Sequence, residues 1–454
     1  MTRPLAVLTA ACMAATLLAG CGSSSQQETT AASTTAGGQS SGESAATTAA
    51  DSGSGENVEL RVAWWGNQQR TDDTIAVFDQ FGAENNVTFS YEYNSYDSYW
   101  ETLATQSVGN NMPDIIQQVT DQFAGYINNG LLVDLTPYVE NGSLDLSDCD
   151  EAYISGGRYN GGLYGVSLGT NVMTIIYNPA LFEAAGVETP SPDWTWSDFV
   201  ATAREIYEKT GVQTENVALG MPRYLLEPMI RSKGQSLYSE DGLGFGFDDE
   251  TKAEIVSVIQ DCYDLVQEGV FVDPEEQLLW QDNSERALCK GEAAMGMNWS
   301  SVFSNFCNYY DLDLEMANQP LFDDATTQGM YLRPAQFFSV TKDCENPEMA
   351  AKAISYFVND SSANQILGGE RGIPAVTSIR EELRESASET DKKVYDFLDS
   401  VIEYCRDADP AEPSTSRQSV EVLNNNVTEV MYGQMTAQEC IDSWMDQSLE
   451  ILAK

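Results

Sequence analysis

The sequence predicts an α/β protein organised as two compact units. The chain has 454 residues, which is more than a single hydrophobic core usually supports. From residue 57 onward, short runs that read as strands are followed by longer runs with helical spacing of apolar residues. Hydrophobic residues make up 42% of the chain, which is ample for burial. We therefore expect sheets covered by helices, divided between two units.

Charge and composition exclude several classes of function. The formal net charge is −47, and such a surface repels phosphate backbones, so we expect no nucleic-acid partner. Histidine is absent, which excludes Ser-His-Asp and Cys-His catalysis and imidazole metal sites. We expect a soluble acidic surface on a monomer, with no catalytic residue, no metal and no cofactor.

Residues 1–21 have the form of an export signal. Arg3 gives a positive start, and the apolar run Leu5–Leu18 is too short to span a bilayer. The segment ends Leu17-Leu18-Ala19-Gly20-Cys21, which resembles the lipobox of bacterial lipoproteins. That resemblance implies cleavage before Cys21 and a lipid on its thiol, and two or more acyl chains give stable anchoring. The alternative is an ordinary signal peptide in which Cys21 is incidental.

Residues 22–56 have the composition of a flexible tether. Of these 35 residues, 28 are Ser, Gly, Thr or Ala, and none contributes to an apolar period. A flexible coil of this length has an end-to-end distance of roughly 30–35 Å. Such a tether holds a folded body just off a membrane surface.

The first predicted strand lies within the stretch from Glu59 to Asn67. Leu60, Val62 and Trp64 alternate with more polar neighbours, and Gly66 allows the backbone to turn. The alternation places Trp64 towards the core and leaves Trp65 at the end of the strand. The elements that should follow are a helix over Thr71–Phe81, a strand over Val87–Tyr93, a helix over Ser98–Val108, a buried strand over residues 113–118, and loops over Leu131–Tyr138 and Gly156–Gly165.

The second unit begins near residue 171 with a strand over Val172–Tyr177. Thr195 and Asp198 have the spacing of a capping box, and residues 254–268 repeat apolar side chains with helical spacing before Gly269 ends the helix. Residues 293–299 read as a strand that ends in Asn298 and Trp299. The chain then returns to a strand over Phe337–Val340, a helix after Asn346-Pro347, an extended connector over Arg371–Val376, and helices to the end with a break near Asp409–Pro413.

Five tryptophans and several polar residues at strand ends suggest a sugar site. A tryptophan ring matches the apolar face of a pyranose, and amides, carboxylates and arginines match its hydroxyl rim. For any one tryptophan, packing in a core is the alternative. The residues with these properties are Trp64, Trp65, Trp100, Trp196 and Trp299, with Asn67, Gln118, Asp121, Asn171, Arg223, Arg333 and Arg371.

Other constellations are weaker. The acidic runs at residues 145–151 and 248–250 lack the pattern of a calcium loop, so solvated loops are favoured. The nine cysteines include no Cys-x-x-Cys pair, and outside the leader region seven remain, for which buried free thiols are favoured over a disulfide framework. No one pair of carboxylates stands out for glycoside hydrolysis.

The chain resembles the family 1 extracellular solute-binding proteins of sugar-importing ABC transporters. The resemblance runs from residue 57 to the end and depends on the order of several loose motifs. They are Leu60–Gly66, Met112-Pro113-Asp114-Ile115-Ile116, Gly130–Thr136, Gly162–Val166, Ile176-Tyr177-Asn178-Pro179-Ala180-Leu181-Phe182, Pro192–Phe199, Gly291–Met297 and Arg371–Val376. The lipobox is the leader that Gram-positive members carry.

The resemblance implies a type II periplasmic-binding-protein-like fold, similar to that of maltose-binding protein, with hinge crossovers and a ligand cleft. The N-terminal lobe would hold residues 57–168 and 337–370, and the C-terminal lobe residues 169–336 and 371–454. The crossovers would lie near Gly169–Asn171, Arg333–Gln336 and Gly372–Pro374.

The resemblance also implies which residues contact the sugar. Trp65 and Trp299 would stack on it, and Asp121, Asn171, Arg333 and Arg371 would bond its hydroxyls. The full set is Trp64, Trp65, Asn67, Trp100, Gln118, Asp121, Thr170, Asn171, Trp196, Asn298, Trp299, Arg333 and Arg371.

The function expected from the sequence is that of a receptor which is not an enzyme. It would be lipid-anchored on the outer face of the cytoplasmic membrane of a Gram-positive-type bacterium, capture an oligosaccharide and deliver it to ABC permease subunits. The alternatives are a secreted lipoprotein glycoside hydrolase and a receptor for a solute other than a sugar.

Overall fold

The computed structural model describes residues 57–406, 409 and 412–453. The expected signal segment, the lipidation position Cys21 and the tether lie outside the described residues. All described residues belong to one compact unit, and none of their helices is long and apolar enough to cross a bilayer.

Strands and helices alternate through the first half of the described chain, and helices dominate its end. The strands are β1 Val58–Trp65, β2 Val87–Asn94, β3 Ile115–Gln118, β4 Arg158–Tyr159, β5 Gly162–Leu163, β6 Val166–Asn171, β7 Met173–Tyr177, β8 Ser236–Tyr238, β9 Phe245–Gly246, β10 Met295–Trp299, β11 Glu315–Ala317 and β12 Arg333–Val340. The helices are α1 Gln68–Asn85, α2 Tyr96–Val108, α3 Thr120–Asn128, α4 Thr136–Glu140, α5 Glu151–Ile154, α6 Pro179–Ala185, α7 Trp196–Thr210, α8 Pro222–Ser232, α9 Asp249–Gln267, α10 Pro274–Leu279, α11 Phe303–Tyr310, α12 Pro347–Asn359, α13 Ser361–Leu367, α14 Thr377–Ser386, α15 Glu389–Val401, α16 Ser416–Met431 and α17 Ala437–Leu452.

The first sheet has five strands in the order β2-β1-β3-β12-β6. The strands β2, β1 and β3 are parallel, and β12 runs antiparallel to both β3 and β6. Leu60, Val62 and Trp64 of β1 are at most 1% exposed, which confirms the alternation predicted for this strand. Helices α1 and α12 pack against the same core, so one side of the sheet is closed off from solvent.

The second sheet has three antiparallel strands in the order β10-β7-β11. Its main core is built with α7, α8, α9, α16 and α17, and the apolar positions of α9 predicted from helical spacing are buried there. The predicted elements of this part are present, although α9 begins at Asp249, five residues before the predicted start.

Local capping signals in the sequence set the ends of several helices. The capping box at the start of α7 is present, with Thr195 and Asp198 bonding each other's backbone N–H groups. At the start of α6, the Asn178 side chain accepts a hydrogen bond from Ala180 N–H, and Pro179 occupies the first helical position. The loop predicted over Leu131–Tyr138 instead contains the start of the short helix α4, with Pro137 in its first turn.

Three connecting segments lie side by side between the two sheets. Strand β6 belongs to the first sheet and β7 to the second, and only Val172 separates them. Arg333 at the start of β12 pairs with Asn171, and Ile373 pairs with Thr170. These are the segments predicted as crossovers, and they are joined by backbone hydrogen bonds. The backbone approaches so closely that a side chain at Gly169 would meet the Arg371 carbonyl oxygen at 2.2 Å.

The seven cysteines of the described residues are free thiols. Cys262, Cys289, Cys307 and Cys440 are buried, and burial raises the pKa of the Cys289 and Cys440 thiols to about 12. They therefore pack as small apolar side chains, as the sequence predicted.

Candidate ligand-binding site

A cavity of about 310 Å³ lies where several strands end. Two aromatic side chains, Tyr96 and Trp299, line it. Its polar lining comes from Thr120, Asp121, Asn171, Ser301 and Arg333. We call this the Trp299 cavity.

Strand ends place these side chains together. β6 ends at Asn171, β10 ends at Trp299, and β12 begins at Arg333, beside Asn171. Asp121 lies in the first turn of α3, just after β3. The ends of strands are where α/β sheets commonly hold ligands, because loops there are free to vary while the sheet stays rigid.

Trp299 is half-buried and its ring is held from one side. Its ring centroid lies 4.9 Å from that of Tyr224, and the two planes meet at 72°. The guanidinium carbon of Arg333 lies 5.4 Å from the Tyr224 centroid and 5.9 Å from the Trp299 centroid. Edge-to-face and cation–π contacts of this kind fix the indole ring before any ligand arrives.

The Arg333 guanidinium is also fixed by polar contacts. Its Nη2 donates to the Thr120 hydroxyl at 2.6 Å and lies 3.1 Å from a carboxylate oxygen of Glu412. The other oxygen of Glu412 accepts from Arg223 Nη1 at 2.7 Å. Glu412 therefore bridges two arginines, and Arg223 has a second carboxylate partner in Glu227 at 3.3 Å.

These charges shift the pKa values of the carboxyl groups in opposite directions. Burial alone would raise the pKa of Glu412, but Arg223 and Arg333 outweigh it and lower that pKa to about 2. Burial and the negative charge of Glu412 raise the pKa of Asp121, with Arg333 opposing. The surrounding charges therefore stabilise the anion of Glu412, while burial and Glu412 destabilise that of Asp121.

A second cavity of about 480 Å³ adjoins the first. Both are lined by Asn171 and Ser301, so the two form neighbouring parts of one cleft. The second cavity has a mixed lining, with polar residues such as Ser304, Asn305 and Glu370 beside apolar ones such as Leu383 and Val394. The buried Oδ1 of Asn171 has no hydrogen-bond partner in the structure.

Four of the residues expected at a sugar site meet in the Trp299 cavity. They are Asp121, Asn171, Trp299 and Arg333. Their roles in contacting a ligand stay predictions.

The four other tryptophans of the predicted set are held by packing. Trp64 is fully buried and stacks on Tyr93. Trp65 is 9% exposed and packs against Tyr96, Tyr99 and Trp100 at centroid distances of 5.1–5.6 Å. Trp196 is stacked on Phe199 and donates to Asp261, inside the core of the second sheet. Trp65 and Trp100 thus support Tyr96 from behind, while Trp64 and Trp196 fill cores.

The remaining predicted residues do not line the two cavities. Asn67 caps α1 by accepting from Arg70 N–H, and Asn298 accepts from the backbone of Trp299. Thr170 and Gln118 are fully buried, and the amide of Gln118 has no partner. Arg371 is buried, donates to Thr74 and lies over the Phe357 ring, and burial next to Arg70 lowers its pKa to about 9.

Sequence reasoning missed Tyr96, Thr120, Tyr224, Ser301 and Glu412. Glu412 lies in the proline-containing break after α15, which gave no signal for a site. Tyr96 and Thr120 directly follow strand ends, so the rule that singled out Asp121 would also have found them.

Residues 76–394, well over half of the chain, match the sequence profile of a family described as bacterial extracellular solute-binding protein. A curated relative, the maltodextrin-binding protein MdxE of Bacillus subtilis, is 21% identical over 69% of this chain and 73% of its own.

Solved structures share the fold. An extracellular solute-binding protein of family 1 from Alicyclobacillus acidocaldarius matches with a TM-score of 0.77 at 24% identity, over 88% of this chain and all 100% of that one. A periplasmic oligogalacturonide-binding protein from Yersinia enterocolitica matches with a TM-score of 0.74 at 23% identity, over 87% and 99% of the two chains. These matches confirm the type II fold class expected from the sequence.

Proposed function

The chain belongs to the bacterial extracellular solute-binding protein family, and on this premise we propose that it captures an oligosaccharide and delivers it to an ABC importer. The observation that carries this proposal is the Trp299 cavity, where an immobilised indole faces hydroxyl-binding groups. A pyranose presents one apolar face and a rim of hydroxyls, which match the indole and the polar groups respectively.

Each lining group has a distinct role in this proposal. Trp299 stacks on a sugar ring, with Tyr96 as a second aromatic surface. Asp121 accepts hydrogen bonds from hydroxyls, Asn171 both donates and accepts, and the remaining donor capacity of Arg333 reaches a ring or hydroxyl oxygen. The adjoining second cavity, which shares Asn171, provides room for a further sugar unit.

Ligand capture proceeds by closure of two lobes about a hinge. The N-terminal lobe comprises residues 57–168 and 337–370, and the C-terminal lobe residues 169–336 and 371–454. The adjacent connecting segments at Thr170, Arg333 and Ile373 support this division, because bending there moves one sheet against the other. Ligand favours the closed state by contacting residues of both lobes.

The protein works outside the cell in this proposal. The lipobox at Cys21 supports a lipid anchor on the outer face of the cytoplasmic membrane of a Gram-positive-type bacterium, and the 35-residue tether allows the receptor to reach the permease subunits.

A thermal-shift panel of oligosaccharides, amino acids and peptides identifies the class of ligand, because a bound ligand raises the apparent unfolding temperature by mass action. A sugar that raises it supports the proposal. If only a peptide or another solute raises it, the proposal is wrong.

Replacing Trp299 with Ala tests the site itself. With the sugar found in the panel, calorimetry should show binding weakened by about 2–4 kcal/mol, since a stacked aromatic anchor is lost. Trp280 is a matched control, because it is also half-buried and also lies near an arginine, Arg286, yet lines neither cavity. Trp280→Ala should leave affinity unchanged. Equal affinity of wild type and Trp299→Ala would remove Trp299 from the site.

We propose that the bound sugar is left intact. Thin-layer chromatography after prolonged incubation should show oligosaccharides of unchanged length. Shortened products that depend on the protein would favour the glycoside hydrolase alternative.

A further inference from the structure

Glu412 pairs with Arg333, which lines the Trp299 cavity, although no motif in the sequence marks Glu412. We infer that this site accepts uncharged sugars and rejects uronic acids, and that Glu412 is the residue that sets this selectivity. The inference rests on the proposed sugar binding. The similar proteins do not decide between neutral and acidic sugars, since the name of one refers to maltodextrin, which is neutral, and that of another to oligogalacturonide, which is acidic.

An arginine whose donors are free binds a uronate carboxylate strongly, because it forms a bidentate pair with the carboxylate. Arg333 is the only arginine that lines the Trp299 cavity among the described residues, and both of its terminal nitrogens already have partners. Nη2 contacts Glu412 at 3.1 Å and Thr120 at 2.6 Å, and Nη1 donates to the Tyr331 hydroxyl at 3.3 Å. A ligand carboxylate would have to displace an internal carboxylate that is held in place.

Glu412 itself is held by a second arginine. Arg223 is 5% exposed and donates to Glu412 at 2.7 Å, so the Glu412 carboxylate is fixed between two cations. Moving it towards solvent would leave both guanidinium groups without their shared partner. Such a loss from a buried ion pair is costly, so a uronate has no cheap way to replace Glu412.

A carboxylate also stands on the cavity wall itself. Asp121 lines the cavity, and the charges that act on it are Glu412 on one side and Arg333 and Arg417 on the other. Within the described part of the chain, Asp121 has no ion-pair partner within 4.0 Å, and it lines the cavity directly. An incoming carboxylate would therefore be repelled, whereas sugar hydroxyls can donate to Asp121. Like charges placed together in this way exclude one class of ligand while another still binds.

The test uses paired probes. Each neutral oligosaccharide of a panel, such as maltotriose, cellotriose or xylotriose, is compared with an oligosaccharide of equal length built from the matching uronic acid. Calorimetry on the full-length protein gives the ratio of the two dissociation constants. For the neutral probe that binds, we expect the uronate to bind at least about tenfold more weakly. Equal or tighter binding of a uronate would overturn the inference while leaving sugar binding intact.

Glu412→Gln should narrow that ratio, because Arg333 loses its internal carboxylate partner and one negative charge is removed. Glu227→Gln is the matched control, since Glu227 pairs with Arg223 but does not reach Arg333. The Glu227→Gln variant should show the same ratio of the two dissociation constants as wild type. An unchanged ratio in Glu412→Gln would assign the selectivity to another residue and overturn the inference.

A second variant covers the case in which Glu412→Gln does not fold, as judged by circular dichroism. Asp121→Asn removes a half-buried carboxylate at the cavity wall and should also narrow the ratio. If it does not, charge repulsion is not the basis of the selectivity. Failure of every neutral and uronate probe to bind would instead contradict the proposed function.

Discussion

The carboxylate of Glu412 neutralises two guanidinium groups, and one of them, that of Arg333, lines the Trp299 cavity. Those groups come from α8 and β12, which belong to different parts of the fold. Because the carboxylate is nearly buried, its charge is weakly screened by solvent and its effect on both arginines is large. The same residue therefore contributes to stability and, as inferred above, to ligand choice.

Glu412→Gln should lower the free energy of unfolding by about 3 kcal/mol at neutral pH. The pKa of Glu412 is lowered in the fold from its ordinary value of 4.5 to about 2. A lowered pKa means that the ionised form stabilises the fold, fully above about pH 4.5 and progressively less as pH falls towards 2. Urea unfolding at several pH values should show the difference from wild type shrinking over this range.

The control for that experiment is Glu421→Gln. Glu421 pairs with Arg417, and both side chains are more than half exposed, so the exchange should change stability by under about 0.5 kcal/mol at any pH. If the loss caused by Glu412→Gln were independent of pH, the ion pairs with Arg223 and Arg333 would not be its cause.

At the scale of single elements, the local sequence predicts helices and strands correctly. The alternation in β1, the periodic apolar face of α9 and the caps of α6 and α7 all depend on residues within a few positions of one another. The candidate site was less accessible to such reasoning, because its central contacts are distant in sequence. Arg223 and Glu412 are 189 residues apart, and Thr120 and Arg333 are 213 apart.

Trp65 shows the same limit for a single side chain. The sequence predicts a stacking surface at the end of β1, and the strand does end at Trp65. The residues that cover Trp65, namely Tyr96, Tyr99 and Trp100, come from α2, and no pattern in β1 announces them. By contrast, no neighbouring helix covers the whole face of the Trp299 ring. Trp299 therefore remains half-buried at the cavity.

The N-terminus of α7 provides a test at the scale of an element. Thr195→Ala removes the hydroxyl that accepts from Asp198 N–H and should lower the free energy of unfolding by about 1 kcal/mol. Thr195→Ser keeps the hydroxyl and should stay close to wild type. Urea unfolding measures both, and an equal loss in the two variants would mean that packing of the methyl group, not capping, stabilises this end.

At the scale of the whole molecule, the connecting segments limit the motion that is available. A single residue, Val172, joins a strand of the first sheet to a strand of the second, and backbone hydrogen bonds hold the other two segments beside it. Connections this short and this close together permit rotation about their common line but little separation. The proposed closure is thus a bending motion with both sheets moving as rigid bodies.

Small-angle X-ray scattering should detect that closure. Addition of saturating sugar should reduce the radius of gyration, because the ligand favours the state in which both lobes contact it. Trp299→Ala at the same sugar concentration should stay close to the ligand-free value, since its site is not filled. A radius of gyration that does not change in wild type, at a concentration where calorimetry shows full binding, would contradict the hinge.

The position of Glu412 along the chain has a consequence for biogenesis. A polypeptide is made from its N-terminus, so Arg223 and Arg333 are both synthesised long before the carboxylate that they share. Until residue 412 has been added, neither guanidinium group has its shared partner. A chain that ends before this residue would therefore leave Arg223 and Arg333 without the charge that neutralises them both.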